Sequence, residues 1–264
     1  MKIVDLTEEY EGNYFVCLED WSDEMREAGN HKEQWFRKMK ENGLCVKLAL
    51  NDEEKPVGMI QYIPIEYSFV EGSGLYFILC IWVHGYKNKG VGNYQKQGIG
   101  KALITAAEED VKKRSAKGLV AWGIPLPVFM RASWFKKQGY VQVDKESFFG
   151  RALLWKPFSD DAVPPKWIEA RKEPELDHDK VTVTGFVNGW CPAYNIVFER
   201  AKRASSELGD QVVFHEINTL NGDVFDEWGI SDSLFINGKK LNTGPPPSFK
   251  KVKKKISKEL KIKV

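Results

Sequence analysis

The run LYFILCIWV, residues 75–83, is apolar at every position. A strand with one solvated face alternates apolar and polar side chains, so an unbroken run belongs at the centre of a sheet, buried on both faces. A sheet with such a strand must be covered on each side, which directs the reading to a layered mixed fold. KIVDL near the N-terminus reads as a strand, and a charged helical stretch over 20–42 follows, with Trp35, Phe36 and Met39 as its apolar stripe. CVKLAL and VGMIQYIPIEY read as two strands joined by the turn NDEEKP. Beyond the central run, Ile99, Leu103, Ile104, Ala107 and Val111 recur at helical spacing to residue 114. GLVAWG (118–123) is another strand. MRASWFKKQ is a short helix stopped by Gly139, where a left-handed cap favours glycine, and YVQVD and GRALLWKPF are closing strands.

The pattern changes near residue 158. SDDAVPPKWIEARKEPELDHDK (159–180) is polar and contains prolines, with little apolar periodicity, and reads as a linker. After it come the strand VTVTGFV, a helix with Tyr194, Val197, Phe198, Ala201 and Leu208 on one face, and the strand QVVFHEI. A short helix near 222–228, a hairpin at SLFINGKKL and a last helix burying Phe249, Val252, Ile256 and Leu260 complete the order βαβαββα. The expected organisation is α/β (α+β), with a domain over 1–158, a linker over 159–180 and a smaller domain over 181–264.

Two G-x-G pairs lie eight residues apart, Gly90-Val91-Gly92 and Gly98-Ile99-Gly100. Glycine inside a helix costs about 1 kcal/mol relative to alanine. A helix starting after Gly92 would carry Gly98 and Gly100 in its first turns, whereas one starting near Gly98 places them at its N-terminus. The second pair is therefore the strand-to-helix loop, and its amides with the positive end of the helix dipole make an anion site. Lys96 and Lys101 add charge. The Rossmann form G-x-G-x-x-G is not met, because position 103 is Leu, and the P-loop form is absent.

The formal net charge of +2 gives no nucleic-acid signal. Ten lysines crowd residues 239–264, but they flank an apolar stripe without interleaved aromatics, as a solvated helix face does. Cys17, Cys45, Cys80 and Cys191 form no C-x-x-C pair, and the four histidines show no ligand spacing, so no metal site is expected. The absence of an apolar leader or a membrane-length apolar run adds the expectation of a cytoplasmic protein acting away from membranes. The oligomeric state stays open.

Gln95-Lys96-Gln97-Gly98-Ile99-Gly100 matches Q/R-x-x-G-x-G/A and resembles motif A of the GNAT (GCN5-related) N-acetyltransferases. The strand ending in Trp82-Val83-His84 before it and the amphipathic helix after it agree with that context. Trp134-Phe135-Lys136-Lys137-Gln138-Gly139-Tyr140 resembles the family's Y-x-x-x-G-F region, so the resemblance covers about 1–157. It implies an acetyl-CoA co-substrate and an amine acceptor, a small molecule or a peptide. It places the pyrophosphate on 95–100, with Lys101 beside it, and the pantetheine along the strand edge at Ile81, Trp82 and Val83. Two departures stand out. Phe135 occupies the position where the family often has an acidic tyrosine, and the central strand lacks a carboxylate. Glu66, His84 and Tyr86 are candidate substitutes, each with an ordinary strand-end or loop role as the alternative. The stretch 86–94 then reads as an inserted loop, either a lid or an idle surface loop.

Residues 181–264 resemble a thioredoxin fold. Gly189-Trp190-Cys191-Pro192-Ala193-Tyr194 stands where W-C-x-x-C would lie, and Ser233-Leu234-Phe235-Ile236-Asn237-Gly238 resembles the glutaredoxin V-F-I-N-G hairpin. Tyr194 replaces the resolving cysteine, which disfavours dithiol chemistry. Cys191 at a helix N-terminus has the setting of a reactive thiol, or is a remnant. A GNAT domain followed by this unit resembles the YoaP-like acetyltransferases. The leading expectation is an acetyl-CoA-dependent N-acetyltransferase. The alternatives are a CoA- or thiol-sensing protein with little turnover, or a monothiol exchange protein using Cys191.

Overall fold

A computed structural model describes all residues except 127–128, 148–149, 242–244 and 264, and all of their side chains except those of 262 and 263. The chain divides into two compact units, one of Met1–Trp21 with Arg37–Ile168, the other of Ser22–Phe36 with Glu169–Val264.

The first unit is built on a seven-stranded sheet. Its strands are β1 (Lys2–Asp5), β2 (Cys45–Leu50), β3 (Pro56–Pro64), β5 (Leu75–Val83), β6 (Gly118–Gly123), β7 (Val141–Lys145) and β8 (Ala152–Pro157), in the order β1-β2-β3-β5-β6-β8-β7. All neighbours run antiparallel except β5 and β6, which are parallel. A parallel pair needs a crossover, and α4 (Ile99–Lys113) provides it. Two short strands, β4 (Val70–Glu71) and β9 (Lys166–Trp167), pair separately, so the polar stretch 159–180 contains a strand that its composition conceals. The apolar run at 75–83 is the centre of the large sheet, as its composition demands, with Phe77 and Ile78 fully buried.

Strand alternation separates the two faces. Gly58 lies beneath Ile99 and Leu103, and the Tyr62 hydroxyl donates to Asp110 at 2.8 Å, so these positions of β3 face α4. Gln61, of opposite parity, accepts from the Tyr14 hydroxyl at 2.6 Å and faces α1 (Glu8–Phe15) on the other side. Leu103 and Val111 of α4 are wholly buried, each contributing about 1.5–3 kcal/mol of apolar transfer.

The 20–42 stretch is not one helix. It forms α2 (Asp23–Arg26) and α3 (His31–Glu41), separated at Gly29, whose φ is 63°. The second unit orders α6 (Pro192–Leu208), α7 (Gly222–Trp228) and α8 (Phe249–Lys263) with β10 (Val181–Val187), β11 (Val212–Asn218), β12 (Ser233–Ile236) and β13 (Lys239–Lys240). The first unit also holds the remaining helix, α5 (Ala132–Lys137). The small sheet runs β11-β10-β12-β13, with β10 and β11 parallel and the other pairs antiparallel. Val183, Val197, Ala201, Val252 and Ile256 build its core. Segment 22–36 joins this unit through Arg200, which is 3% exposed and donates to Glu27 from Nε at 3.0 Å and from Nη2 at 2.9 Å, and to Glu24 at 3.0 Å. His31 and Glu199 add a contact at 2.7 Å.

Candidate active site

The site begins where β5 parts from β6. Their pairing runs from Leu75↔Gly118 to Ile78↔Ala121 and stops there. On the other edge of β5, Cys80 opposes Gln61 and Ile78 opposes Tyr62, which leaves Leu79 as an extra residue in the strand. Such a bulge turns the strand away from its neighbour. The freed edge faces side chains instead of a strand. Leu79 O accepts from the Trp122 indole at 2.8 Å, the Ile81 amide donates to Met130 Sδ at 3.4 Å, and Val83 O accepts from Gln95 Nε2 at 3.2 Å.

The helix that follows starts at Ile99, with Gly98 as its N-cap at φ 82°, a left-handed conformation that glycine adopts without strain. No acid lies in its first turn, and Lys96 and Lys101 are exposed beside it. Gly100 lies under the Trp134 ring, 3.3 Å from where a Cβ would stand. The loop arrives pinned, since Gln95 also donates its amide to Asn93 Oδ1 at 2.9 Å and Gln97 Nε2 donates to Asn93 O at 3.2 Å. The first turn of a helix leaves amides without intrahelical partners, and here they meet no competing carboxylate. The arrangement fits a diphosphate.

The candidate acid and base positions are occupied by local bonds. His84 is fully buried. Its Nε2 lies 3.2 Å from the Trp21 indole nitrogen, which can only donate, so the proton sits on Nδ1 and is donated to Gly92 O. A Cβ on Gly90 would lie 2.5 Å from Trp21 and 2.9 Å from His84 Nε2. The first glycine pair thus closes the 84–94 loop over His84 and Trp21. Tyr86 is exposed, with its ring 5.0 Å from Trp21 and 6.2 Å from Trp82. Glu66 Oε1 accepts from the Gly74 amide at 3.2 Å, a turn contact. Phe135 is completely buried, 5.0 Å from the Trp134 ring and 5.7 Å from Tyr140.

The family profile described as Acetyltransferase (GNAT) family matches residues 3–140, just over half of the chain. The chain belongs to the GNAT acetyltransferases. It is therefore an enzyme of the acyltransferase class. Among solved structures it resembles the GNAT N-acetyltransferase YhbS of Escherichia coli in complex with CoA, at 13% identity over 61% of this chain and 82% of that one, TM-score 0.43. It also resembles a GNAT acetyltransferase of Brucella melitensis in complex with acetyl-CoA, at 14% identity over 63% and 94%, TM-score 0.42. A third is the PaiA N-acetyltransferase of Thermoplasma acidophilum in complex with coenzyme A, at 17% identity over 60% and 100%, TM-score 0.42. No curated protein matched the chain.

Residues 81–101 of the expected set all lie in the first unit of this acetyltransferase, whereas Cys191 lies in the second, half-buried at the N-cap of α6. Sequence reasoning missed Asp232, which binds the loop leading to it. This half-buried carboxylate accepts the Asn188 amide at 2.9 Å and so anchors the loop before Cys191. Burial raises its pKa, against the lowering effect of hydrogen bonds from Asn188, Ser231, Trp190 and Gly189. Met130 was also missed, because no motif marks a methionine that bonds a strand edge. Among the described residues there is no group of metal-ligating side chains and no helix long and apolar enough to cross a membrane.

Proposed function

We propose that this enzyme transfers an acetyl group from acetyl-CoA to the amine of a small molecule or peptide. One observation carries the reading: the open, acid-free N-terminus of α4, capped by Gly98, stands next to the strand edge where β5 leaves β6. The first-turn amides, with Gln95, Lys96, Gln97, Gly98, Ile99, Gly100 and Lys101, would hold the diphosphate. The edge at Ile81, Trp82 and Val83 would hold the pantetheine. Bound there, acetyl-CoA supplies an activated thioester. The chain's contribution is orientation, and polarisation of a carbonyl by a strand amide such as that of Ile81. None of Glu66, His84 or Tyr86 is proposed as a strong base, since His84 spends its ring nitrogens on Trp21 and Gly92 and Glu66 binds a turn. Calorimetry with acetyl-CoA tests the reading, with mass spectrometry of N-acetylated product as the second readout. An absence of heat at millimolar acetyl-CoA would sink it.

We also read residues 1–158 as the acetyltransferase domain, 159–180 as the connecting stretch and 181–264 as a thioredoxin-like, YoaP-like domain. The βαβαββα order and the mixed β11-β10-β12-β13 sheet support the last assignment, and segment 22–36 adds to that unit. A cytoplasmic setting fits four cysteines outside any disulfide.

A further inference from the structure

A belt of aromatic rings crosses the sheet face opposite α4. Trp82 opposes Met59, and Ala121 opposes Ile78, so alternation places both Trp82 and Trp122 on the face away from the helix. Phe129 bridges them, 6.1 Å from Trp82 and 6.0 Å from Trp122. Tyr86 and Trp21 extend the belt beyond Trp82, at 6.2 Å and then 5.0 Å. Tyr86 and Phe129 are each 38% exposed, which makes the belt accessible at the point where the two strands part.

Both ends of the belt already carry a cation. Lys89 Nζ stands 4.6 Å from the centroid of Trp21 and 5.9 Å from that of Tyr86, and among the described residues no carboxylate pairs with it. At the other end Arg151 stands 5.5 Å from Trp122 and 4.7 Å from Trp167, and is itself held by Glu146. At the two ends of the belt the electron-rich faces of Trp21, Tyr86 and Trp122, which would attract an ammonium, are therefore taken by the protein's own cations. On the same face β5 offers Cys80, and β3 offers Gln61, whose Oε1 is bonded to Tyr14, so neither strand presents a carboxylate to receive an ammonium proton. A lysine-like alkylamine, with a pKa of about 10.4, is only about 0.04% neutral at pH 7. A site built this way disfavours such an acceptor twice, in binding and in deprotonation.

We infer that the acetyl acceptor is a flat aromatic amine, uncharged or anionic, whose nitrogen is neutral at physiological pH. The inference rests on the acetyl-CoA reading above. The neutral nitrogen forms the C–N bond to the thioester carbonyl carbon, the C–S bond breaks with its electron pair on sulfur, and the nitrogen's surplus proton leaves through solvent to give the CoA thiol. Stacking against the outer faces of Trp82 and Phe129 orients the ring, and Lys89 favours an anionic substituent.

The test uses the full chain with acetyl-CoA and four acceptors: 4-aminobenzoate, 4-aminobenzamide, spermidine and kanamycin. Acetylated product is counted by mass spectrometry, and acetyl-CoA binding is measured separately by calorimetry. Expected is a kcat/KM for the two aromatic amines at least tenfold above that for the two polycations. Lys89→Glu, a change at an exposed side chain, should narrow the 4-aminobenzoate to spermidine ratio at least fivefold. Phe129→Ala, at a 38% exposed ring outside the residues assigned to the cofactor, should raise KM for 4-aminobenzamide while the acetyl-CoA Kd moves less than twofold. Binding of acetyl-CoA with equal or better use of spermidine, or with no aromatic amine acetylated, overturns the inference and leaves the cofactor reading standing. Absence of acetyl-CoA binding overturns both.

Discussion

The sulfur of Met130 accepts the amide hydrogen of Ile81, at 3.4 Å. A thioether is a weak acceptor, and Met130 reaches it from a left-handed backbone at φ 47° while only 4% exposed. The contact occupies a strand-edge donor proposed to orient the acetyl donor. Met130→Leu keeps volume and removes the acceptor, so the Ile81 amide is left unsatisfied until ligand arrives. Leaving a buried donor bare costs about 1–3 kcal/mol, which predicts acetyl-CoA binding about fivefold tighter or more in the variant. Calorimetry reads this directly, and an unchanged Kd would remove Ile81 from the ligand's path.

Gly98 and Gly92 form a matched pair. Their φ values are 82° and 93°, and an added Cβ would meet nothing within 4 Å at either. Alanine at each position should cost about 1–2 kcal/mol of stability through backbone strain alone. Only Gly98→Ala should also weaken acetyl-CoA, because only that position caps the helix. Urea unfolding beside calorimetry separates the two effects. Equal losses of affinity would show that the first glycine pair shares the anion site.

His84 should behave as a structural pin. His84→Ala removes the acceptor of the Trp21 indole and the donor to Gly92 O, with a predicted loss of about 2–4 kcal/mol. The 84–94 loop should then be cut first in limited proteolysis. A variant with full stability and a pH–rate profile that loses one ionisation would instead make His84 a catalytic base.

Arg200→Met should destabilise the second unit by about 3 kcal/mol, the low end for a broken buried pair because Glu24 and Glu27 keep some water. Glu27 gives this network a pH signature. The Arg200 hydrogen bond holds its carboxyl below the ordinary value of 4.5, and burial opposes that shift. A carboxyl depressed in the folded state stabilises above its unfolded pKa, and the stabilisation is lost as pH falls through the folded value. Unfolding free energy should therefore drop as pH falls below 4.5, with a shallower slope in Glu27→Gln. Identical slopes would assign the acid sensitivity elsewhere.

Local signals were legible where one element decides its own fate. The apolar run at 75–83 is the strand Leu75–Val83, and the cost of internal glycine places the start of α4 at Ile99. The GNAT assignment followed from residues 95–100 in that setting. What could not be read depends on partners distant in sequence. The bulge at Leu79 arises from register with β3, the tautomer of His84 from Trp21, and the occupied Ile81 amide from Met130. The break at Gly29 was hidden by charged residues that suit a helix on either side, and nothing local announces that Glu27 serves Arg200.

That last pairing sets a clock on biosynthesis. Glu27 and Arg200 are 173 residues apart. At a synthesis rate of about 5–20 residues per second, Glu27 precedes Arg200 by about 9–35 s. During that interval segment 22–36, with Trp35 and Phe36, is a nascent stretch without its eventual cation. A cell making this protein must keep those two aromatics from other chains for that time, so yield on expression should depend on translation speed more than the stability of the finished fold would suggest.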